Sequence, residues 1–297
     1  MNYLIIGAGG FLGTYLLDSL KDKGHRIIAT ARTIKDREGF SSDIQWMACD
    51  VTNRCDVESL REKISEHEKW IVLYLAACHH PDIVQKQPRM AWNTNITALS
   101  YFINALPDGT RLFYPSTDTV YGEGTITTKF SETAPLTPVN LYGKHKALAE
   151  QIVLTYGHNV VRYPFLIGTS LCPQKTHFFD VIRDTVAAGK PMDMFADSYR
   201  SALSFRQAAE YLISLTQLDQ EQTPPLVNIA SDDVLSKYDI GKQIAELYGL
   251  DTSLVHPITI AHAEGIFEAP RASTTLIDNT LLKKTLGISE IHLQLEK

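Results

Sequence analysis

Short apolar runs alternate with amphipathic stretches along the first half of the chain. The runs at residues 3–6, 26–31, 44–48, 71–76, 112–114 and 160–163 predict buried strands. Apolar residues recur at helical spacing at 11–20, 57–67, 88–106 and 139–156, which predicts helices between those strands. Repeated strand–helix alternation implies a parallel sheet covered on both faces. The sequence therefore predicts an α/β fold with a doubly wound parallel sheet.

A glycine-rich turn joins the first predicted strand to the first predicted helix, with glycines at positions 7, 10 and 13. Gly7 permits a tight turn, Gly10 lets the backbone approach a pyrophosphate, and Gly13 lets helix and strand pack closely. The helix N-terminus offers free N–H groups to the phosphates. The pattern predicts a Rossmann domain that binds NAD or NADP. The alternative is an ordinary strand–helix turn with additional glycines.

The end of the second predicted strand bears on the choice of dinucleotide. NAD-binding proteins commonly place Asp or Glu there to bind the ribose 2′-hydroxyl. This strand ends in Thr30-Ala31-Arg32-Thr33, and the nearest downstream acid is Asp36. Arg32 is suited to a 2′-phosphate, with Thr30 or Thr33 assisting. The sequence therefore favours NADP over NAD, and the alternative is that Arg32 is a solvated loop cation.

The strand–helix alternation loosens after about residue 164. Helices are predicted at 178–188, 206–218, 236–248 and 279–286, a strand at 226–229, and a loop at 168–177. We predict that residues 1–165, plus about 203–232, form the dinucleotide-binding domain. Residues 166–202 and 233–297 are predicted to form a smaller C-terminal substrate domain that is interleaved with the first in sequence.

Tyr142 and Lys146 lie four residues apart in the predicted helix 139–156 and therefore share one face. Free tyrosine has a pKa of roughly 10. A lysine cation beside it favours the phenolate and lowers that pKa. The spacing therefore predicts a general acid/base pair.

Composition and charge limit the partners that the protein can have. The chain has 297 residues, of which 44% are hydrophobic and 21% charged, and its net charge is −6. The negative charge argues against nucleic acid or an anionic membrane as the main partner. No uninterrupted apolar stretch approaches about 20 residues, so no membrane-spanning helix is predicted.

Cysteine usage and the N-terminal sequence indicate the compartment. The four cysteines at positions 49, 55, 78 and 172 have neither zinc-binding nor redox Cys-x-x-Cys spacing. Free thiols in a reducing cytosol are the simplest interpretation. No charged leader precedes the first predicted strand, so we expect no signal peptide. The sequence therefore predicts a cytoplasmic protein.

Four motifs occur along the chain in a characteristic order. They are Gly7-x-x-Gly10-x-x-Gly13, Leu75-Ala76-Ala77, Ser116-Thr117-Asp118-Thr119-Val120-Tyr121-Gly122 and Tyr142-Gly143-x-x-Lys146, with Glu132, Pro135 and Asn140 before the last. Over nearly all of its length the chain resembles the extended short-chain dehydrogenases/reductases that act on nucleotide-sugars. Segments 50–52, 235–240 and 273–287 resemble most the dTDP-4-dehydrorhamnose reductase subgroup of that family.

The resemblance implies a set of site residues. The catalytic residues would be Thr117, Tyr142 and Lys146. With Arg32, the cofactor-binding residues would be Gly7, Gly10, Phe11, Leu12, Gly13, Asp50, Val51, Leu75, Ala76, Ala77, Asn95, Tyr142 and Lys146. The substrate-binding residues would be Thr117, Arg200, Arg271 and, from its position after a strand, His79. Nucleotide-sugar is the implied substrate, and a homodimer is the assembly that the resemblance favours.

Structural alternatives accompany several of these residues. Asp50 could cap a helix and Val51 could be a core residue. Asn95 could fix the backbone near the active site or could be a buried polar group that is satisfied locally. Arg200 and Arg271 could be surface cations or members of structural ion pairs.

Some positions depart from the family pattern. Sugar epimerases of the wider family often have Asn where Phe165 stands. Dehydratases usually have two acids after the catalytic Thr, and here Thr119 follows Asp118. His79 and His80 invite a metal site, but no third ligand has a recognised spacing, so no metal is predicted.

Three functions remain open from the sequence. The first is an NADP-dependent reductase of a 4-keto-6-deoxy nucleotide-sugar that uses Thr117, Tyr142 and Lys146. The second is a nucleotide-sugar epimerase or dehydratase that uses tightly held NAD. The third is a non-catalytic, NADP-binding regulatory subunit.

Overall fold

The structure, a computed structural model, describes residues 1–34, 43–64, 67–172, 175–263, 265 and 267–297. Its strands are Asn2–Ile6 (β1), Arg26–Ala31 (β2), Ile44–Ala48 (β3), Trp70–Tyr74 (β4), Arg111–Thr117 (β5), Lys129–Phe130 (β6), Asn159–Tyr163 (β7), Leu166–Ile167 (β8), Met192–Phe195 (β9), Tyr199–Arg200 (β10), Leu203–Ser204 (β11), Leu226–Asn228 (β12), Leu235–Ser236 (β13), Val255–Ile258 (β14) and Thr274–Ile277 (β15).

The α-helices are Phe11–Leu20 (α1), Arg54–Arg61 (α2), Pro81–Lys86 (α3), Pro88–Trp92 (α4), Ala98–Ala105 (α5), Leu141–Thr155 (α6), Phe178–Ala187 (α7), Phe205–Gln217 (α8), Lys237–Tyr248 (α9) and Thr280–Leu286 (α10). A π-helical turn at Asn93–Thr97 joins α4 to α5, and short 3₁₀ turns cover Asp118–Val120, Thr252–Leu254 and Ile260–Ala263.

A seven-stranded sheet forms the centre of the fold, in the order β12-β7-β5-β4-β1-β2-β3. Every neighbouring pair in it is parallel. The chain leaves β1 toward β2 on one side and later returns to β4 on the other, so the strand order reverses at β1. In sheets of this kind ligands bind at the carboxyl ends of the strands beside that reversal. The predicted doubly wound parallel sheet is confirmed.

Alternating side chains of the sheet enter two separate cores. On β1, Tyr3 and Ile5 pack in a cluster with residues of α1 and α8, whereas Leu4 and Ile6 pack in a cluster with residues of α2, α5 and α6. All four side chains are fully buried. Burial of each such apolar side chain contributes about 1.5–3 kcal/mol. The near-continuous apolar strands of the sequence are thus explained by helices on both faces.

The second half of the chain adds a smaller sheet of four strands, in the order β13-β10-β15-β6. Arg200 of β10 pairs with Leu235 of β13 and with Thr275 of β15. Strand β6 belongs to this sheet although it lies within the predicted dinucleotide-binding segment. Conversely, Leu282 of α10 packs in the core that covers β1. The two predicted domains therefore exchange elements in both directions.

Several predicted elements have different bounds in the structure. Helix α2 begins after Asn53, whose side chain accepts a hydrogen bond from the Cys55 amide at 3.0 Å, and it ends at Arg61 instead of extending to residue 67. Residues 65 and 66 of that prediction, and Asp36, lie outside the described part of the chain. The predicted helix 88–106 is divided by the π-helical turn. After residue 164 the predicted strand 226–229 is present as β12, at Leu226–Asn228. The other strands there were not predicted, because they have two to four residues each, too few to leave a clear periodicity in a sequence.

Candidate active site

The glycine turn after β1 has the geometry that its spacing predicts. Gly7 adopts a positive φ of 79°, and a Cβ there would lie 3.0 Å from the backbone nitrogen of Ala76. A Cβ on Gly13 would lie 2.5 Å from the Ala8 carbonyl oxygen, so only glycine lets α1 approach the turn this closely. A Cβ on Gly10 would meet only the Gly7 carbonyl, at 3.5 Å. Gly10 therefore leaves open space in front of the helix N-terminus.

The N-terminus of α1 is suited to an anion. Gly10 is its N-cap and provides no side-chain hydrogen bond, and the first turn contains no acidic residue. Backbone N–H groups and the helix dipole therefore face outward without a competing carboxylate. Phe11 and Leu12, both half-buried, begin the helix and pack against the core on its inner side.

The segment 168–177, predicted only as a loop, lies against the glycine turn. Nζ of Lys175 donates a hydrogen bond to the Gly9 carbonyl at 3.0 Å. Sγ of Cys172 lies 3.6 Å from Oγ1 of Thr14, and the Tyr15 hydroxyl donates to the Thr169 carbonyl at 2.8 Å. Residues 173 and 174 are outside the described ranges. The hydrogen bond of Lys175 places a cation at the glycine turn. The spacing of apolar residues in the sequence did not predict this contact.

The residues expected near the adenosine lie at the ends of β2 and β3. Arg32 is exposed. Oδ1 of Asp50 accepts hydrogen bonds from the backbone and side chain of Thr52, at 2.9 and 2.7 Å. Those bonds, followed by the nearby Arg32 cation, lower the pKa of the Asp50 carboxyl. Val51 is buried in the core. Both residues therefore have local structural roles, and their contact with a cofactor stays a prediction.

The segment after β4 is held beside the glycine turn by a side-chain clamp. The Leu75 amide donates to the Ile6 carbonyl at 2.8 Å. Oδ1 of Asn95 accepts from the Cys78 amide at 2.7 Å, and Nδ2 of Asn95 donates to the Cys78 carbonyl at 3.0 Å. Asn95 is buried and lies in the π-helical turn, a feature often found at functional sites. It thus fixes the backbone that follows Ala76 and Ala77.

Helix α6 faces the carboxyl end of β5. A Cβ on Gly143 would lie 2.8 Å from the Thr119 carbonyl oxygen, so the first turn of α6 packs directly on the 3₁₀ turn that follows Thr117. One turn further along, Nζ of Lys146 donates to the Pro115 carbonyl at 2.5 Å. Thr117 ends β5, and Tyr142 precedes Gly143 in α6. The two residues therefore belong to elements that are in close contact.

Thr117 is tied into its own turn. Its hydroxyl lies 3.0 Å from Oδ1 of Asp118 and 3.0 Å from Oγ1 of Thr119, and it accepts from the Thr119 amide at 3.2 Å. These bonds fix its χ1 angle and keep the hydroxyl at the strand end. Asp118 is buried, and burial raises the pKa of its carboxyl against the opposing effects of Arg200 and the two threonines.

The pKa values of the predicted acid/base pair differ from the expectation. Burial raises the pKa of Tyr142, and the negative charges of Asp118 and Cys78 raise it further. Burial lowers the pKa of Lys146 to about 7, although Glu150 opposes that effect. The prediction that Lys146 lowers the Tyr142 pKa is therefore wrong for this structure. The reason is geometric, since the ammonium faces a carbonyl and the Tyr114 ring, 3.9 Å from its centroid.

The two predicted substrate arginines both bind groups within the protein. Arg200 donates to the Tyr199, Ser273 and Ala272 carbonyls at 2.7–2.8 Å, and its Nε lies 3.5 Å from Oδ2 of Asp118. This guanidinium braces two strands of the small sheet and the buried carboxylate.

Arg271 is paired in a similar way. Its Nη2 lies 3.0 Å from Oδ2 of Asp82, and its Nη1 donates to the Ala269 carbonyl at 3.0 Å. The structural alternative for each arginine is thus observed, and their contact with substrate stays a prediction.

His79 lies at the rim of the same region. Its side chain is exposed, and desolvation by the surrounding protein, followed by the neighbouring His80, lowers its pKa. The cations of Lys175 and Lys146 also act on it. Across the described ranges, no group of three or more His, Cys, Asp or Glu side chains is arranged to hold a metal.

Lys237 is a site residue that sequence reasoning missed. It begins α9, and its Nζ lies 5.7 Å from the ring centroids of both Phe165 and Phe195. Burial lowers its pKa to about 8, the cations of Arg200 and Arg271 lower it further, and Asp118 opposes them. The segment 235–240 was noted only for its family wording, and nothing in its spacing distinguished this lysine.

The reversal of strand order beside a glycine turn defines a Rossmann-type fold. The family model described as RmlD substrate binding domain matches residues 1–296. The chain belongs to that family, and the resemblance seen in the sequence is confirmed.

Known relatives include both an enzyme and a subunit of another enzyme. The chain is 26% identical to Methionine adenosyltransferase 2 subunit beta of Xenopus laevis, over 97% of this chain and 83% of the relative. It is also 26% identical to dTDP-4-dehydrorhamnose reductase of Mycolicibacterium smegmatis, over 93% of this chain and 77% of the relative.

Among solved structures, the dTDP-4-dehydrorhamnose reductase of Bacillus anthracis str. Ames in complex with NADP superimposes with a TM-score of 0.80 at 20% identity, covering 98% of this chain and 94% of the other. At this identity the match shows the fold alone. In the part of the chain that the structure describes, no helix has the length and apolar character needed to cross a membrane.

Proposed function

We propose that this chain is an NADP-dependent reductase of a keto group in a nucleotide-sugar, specifically a 4-keto-6-deoxy sugar. The packing of α6 on the end of β5 carries the proposal, because it brings Thr117, Tyr142 and Lys146 onto facing elements. Membership of the family and the likeness to a curated reductase support the same class of reaction.

The residues around the glycine turn fit a dinucleotide. Gly10 leaves space for a pyrophosphate, the α1 N-terminus offers N–H groups, and Lys175 adds a positive charge 3.0 Å from the Gly9 carbonyl. Arg32, which follows β2, is exposed, and the end of β2 has no carboxylate that would bind a ribose 2′-hydroxyl. A guanidinium at this position suits a 2′-phosphate. These features support NADP as the cofactor.

The side chains of the site have distinct roles in the proposed reaction. A bound NADPH supplies a hydride to the keto carbon, and negative charge develops on the keto oxygen. Tyr142 donates its proton to that oxygen, and the Thr117 hydroxyl turns from Oδ1 of Asp118 to donate a hydrogen bond that positions the same oxygen. The raised pKa of Tyr142 keeps the phenol protonated at neutral pH, which is the form that a proton donor requires.

Lys146 has a positioning role in this scheme. Its ammonium has three N–H donors, and the Pro115 carbonyl takes one of them. The remaining donors are available for the hydroxyls of the nicotinamide ribose. Lys146 thereby orients the cofactor while it keeps its tie to β5.

The test is to mix the protein, NADPH and a panel of keto-sugar nucleotides and to follow nicotinamide absorbance. Stoichiometric consumption of NADPH with a 4-keto-6-deoxy sugar is the expected result. Sugar conversion without net consumption would instead identify an epimerase or dehydratase. Tyr142→Phe should lower turnover by about 10²–10⁴-fold while leaving the Kd for NADPH unchanged.

Tyr156→Phe is a matched control for the tyrosine variant. It removes the same atom from the residue that caps the C-terminus of the same helix, but the Tyr156 side chain is exposed and its hydroxyl donates to Asn104 at 2.9 Å, away from the site. Turnover should be unchanged. Equal loss in both variants would show that the phenol of Tyr142 has no specific role.

A regulatory subunit is the second candidate, and the likeness to methionine adenosyltransferase 2 subunit beta favours it. That function requires dinucleotide binding and a partner surface but no proton transfer. A protein of this class would consume no NADPH with any sugar of the panel, and Tyr142→Phe would leave its effect on a partner intact. The same assay thus separates the two candidates.

A further inference from the structure

Lys237 lies among the charges of Arg200, Arg271 and the buried Asp118 carboxylate, all of which act on its ammonium. Arg200, paired with Leu235 across the small sheet, approaches this carboxylate at 3.5 Å. Lys237 follows Leu235 by two residues, and Arg271 adjoins the carbonyl of residue 272 that Arg200 binds. Three positive side chains thus lie close together beside the strand end that bears the proposed catalytic threonine, and the carboxylates of Asp118 and Asp82 face two of them, Arg200 and Arg271.

The three cations differ in how their donors are used. Arg200 and Arg271 bind backbone carbonyls and face carboxylates. For Lys237, no hydrogen bond or ion pair is found with any residue in the described ranges. The rings of Phe165 and Phe195 attract its charge at 5.7 Å but cannot satisfy its N–H groups. The Asp118 carboxylate offsets part of the repulsion from the two neighbouring cations, and an anion that enters from outside the chain would satisfy the N–H groups that no residue binds.

We propose that the Lys237 ammonium binds the diphosphate of the nucleotide-sugar substrate, and that Arg200 is a brace for Asp118 and the small sheet. The proposal rests on the proposed function for the class of ligand. An ammonium is a compact point charge with three donors, which suits the oxygens of a diphosphate. The subsite lies next to the turn that carries Thr117, so the anion anchors the sugar near the proposed proton donor.

The experiment measures the affinity of thymidine diphosphate and uridine diphosphate, by calorimetry, for the full chain saturated with NADP⁺. Saturation keeps these probes out of the cofactor site. Lys237→Met should weaken binding of the diphosphate by about tenfold or more, since a charge-assisted contact is lost. Lys237→Arg, which keeps the charge, should retain most of the affinity. Thymidine, which has no phosphate, should bind wild type and Lys237→Met equally, and the Kd for NADPH should be the same in all three proteins.

Each result decides one point. Equal diphosphate affinity in wild type and Lys237→Met would overturn the role of Lys237 and leave the proposed reductase standing. Equal losses in the Arg and Met variants would also overturn it, because charge would not be the determinant. Failure of the wild-type protein to bind either diphosphate would overturn both this inference and the proposed substrate class.

A measurement on the wild-type protein covers the case in which the variants fold poorly. Amine-specific labelling with peptide mapping should show that thymidine diphosphate slows modification of Lys237 severalfold while thymidine does not. The exposed Lys284 provides the reference, since its labelling rate should not change. Equal labelling of Lys237 with and without the diphosphate would contradict the proposal.

Discussion

Lys146 should make the stability of the protein depend on pH in a way that one substitution removes. Its side chain is buried, with 3% exposure, and its pKa falls from the ordinary 10.5 to about 7. In the unfolded chain the ordinary value returns. Between pH 7 and 10.5 the unfolded chain therefore holds a proton that the folded chain has released, and the free energy of unfolding rises with pH. The slope is about 1.4 kcal/mol per pH unit, and the whole interval corresponds to about 5 kcal/mol.

Lys146→Met removes this titration while it preserves side-chain length. Urea unfolding of wild type and variant at pH 7, 8 and 9 gives the difference between their free energies of unfolding. We expect the variant to be the more stable protein at pH 7, and its advantage to shrink by about 1.4 kcal/mol per pH unit as the pH rises. Lys144→Met is the control, because Lys144 is exposed on the same helix and its substitution should give a pH-independent difference. A pH-independent difference for Lys146→Met as well would refute the reasoning.

Three further sets of variants test the glycine turn, the buried ion pair and the choice of cofactor. Gly13→Ala should destabilise the fold by about 1–3 kcal/mol in urea unfolding, because the new Cβ overlaps the Ala8 carbonyl oxygen at 2.5 Å. Gly10→Ala should leave stability unchanged and weaken NADPH binding in a fluorescence titration. Arg162→Met should lower the free energy of unfolding by about 3–5 kcal/mol, because it leaves the fully buried Glu150 carboxylate without the Nη2 donor that now lies 2.6 Å away. The double variant with Glu150→Gln should regain part of that stability. Arg32→Glu should weaken NADPH binding and strengthen NADH binding, which paired Kd measurements would show, and equal effects on both cofactors would exclude a 2′-phosphate contact.

Periodicity in the sequence was sufficient for the large sheet and its covering helices. The bounds of β2 and β3 were predicted to the residue, because each is a short run of β-forming residues between polar segments. The glycine spacing also predicted local geometry, since a Cβ at Gly7 or Gly13 would contact backbone atoms of a neighbouring segment. These features depend on local conformation and on one neighbouring element, which a linear pattern records well.

Features that depend on several distant segments were not predicted. The shift in the Tyr142 pKa comes from burial and from Asp118 and Cys78, which are far from it in sequence. Lys237 acquires its surroundings only when β10 and β13 pair, and Lys175 contacts the Gly9 carbonyl only in the folded chain. Neither lysine differs in sequence from a solvated one. Side-chain contacts that form only when distant segments come together can be recognised only in the folded structure.

The most direct test of the central claim follows the transferred hydrogen itself. The protein is mixed with NADPH that carries deuterium at the transferable C4 position and with a nucleotide-linked 4-keto-6-deoxy sugar, and the product is analysed by mass spectrometry. We predict that one deuterium appears on the carbon that bore the keto group, and that Tyr142→Phe slows its appearance by about 10²–10⁴-fold while Tyr156→Phe does not. A wild-type protein that binds the labelled cofactor and leaves the sugar without deuterium would contradict the account.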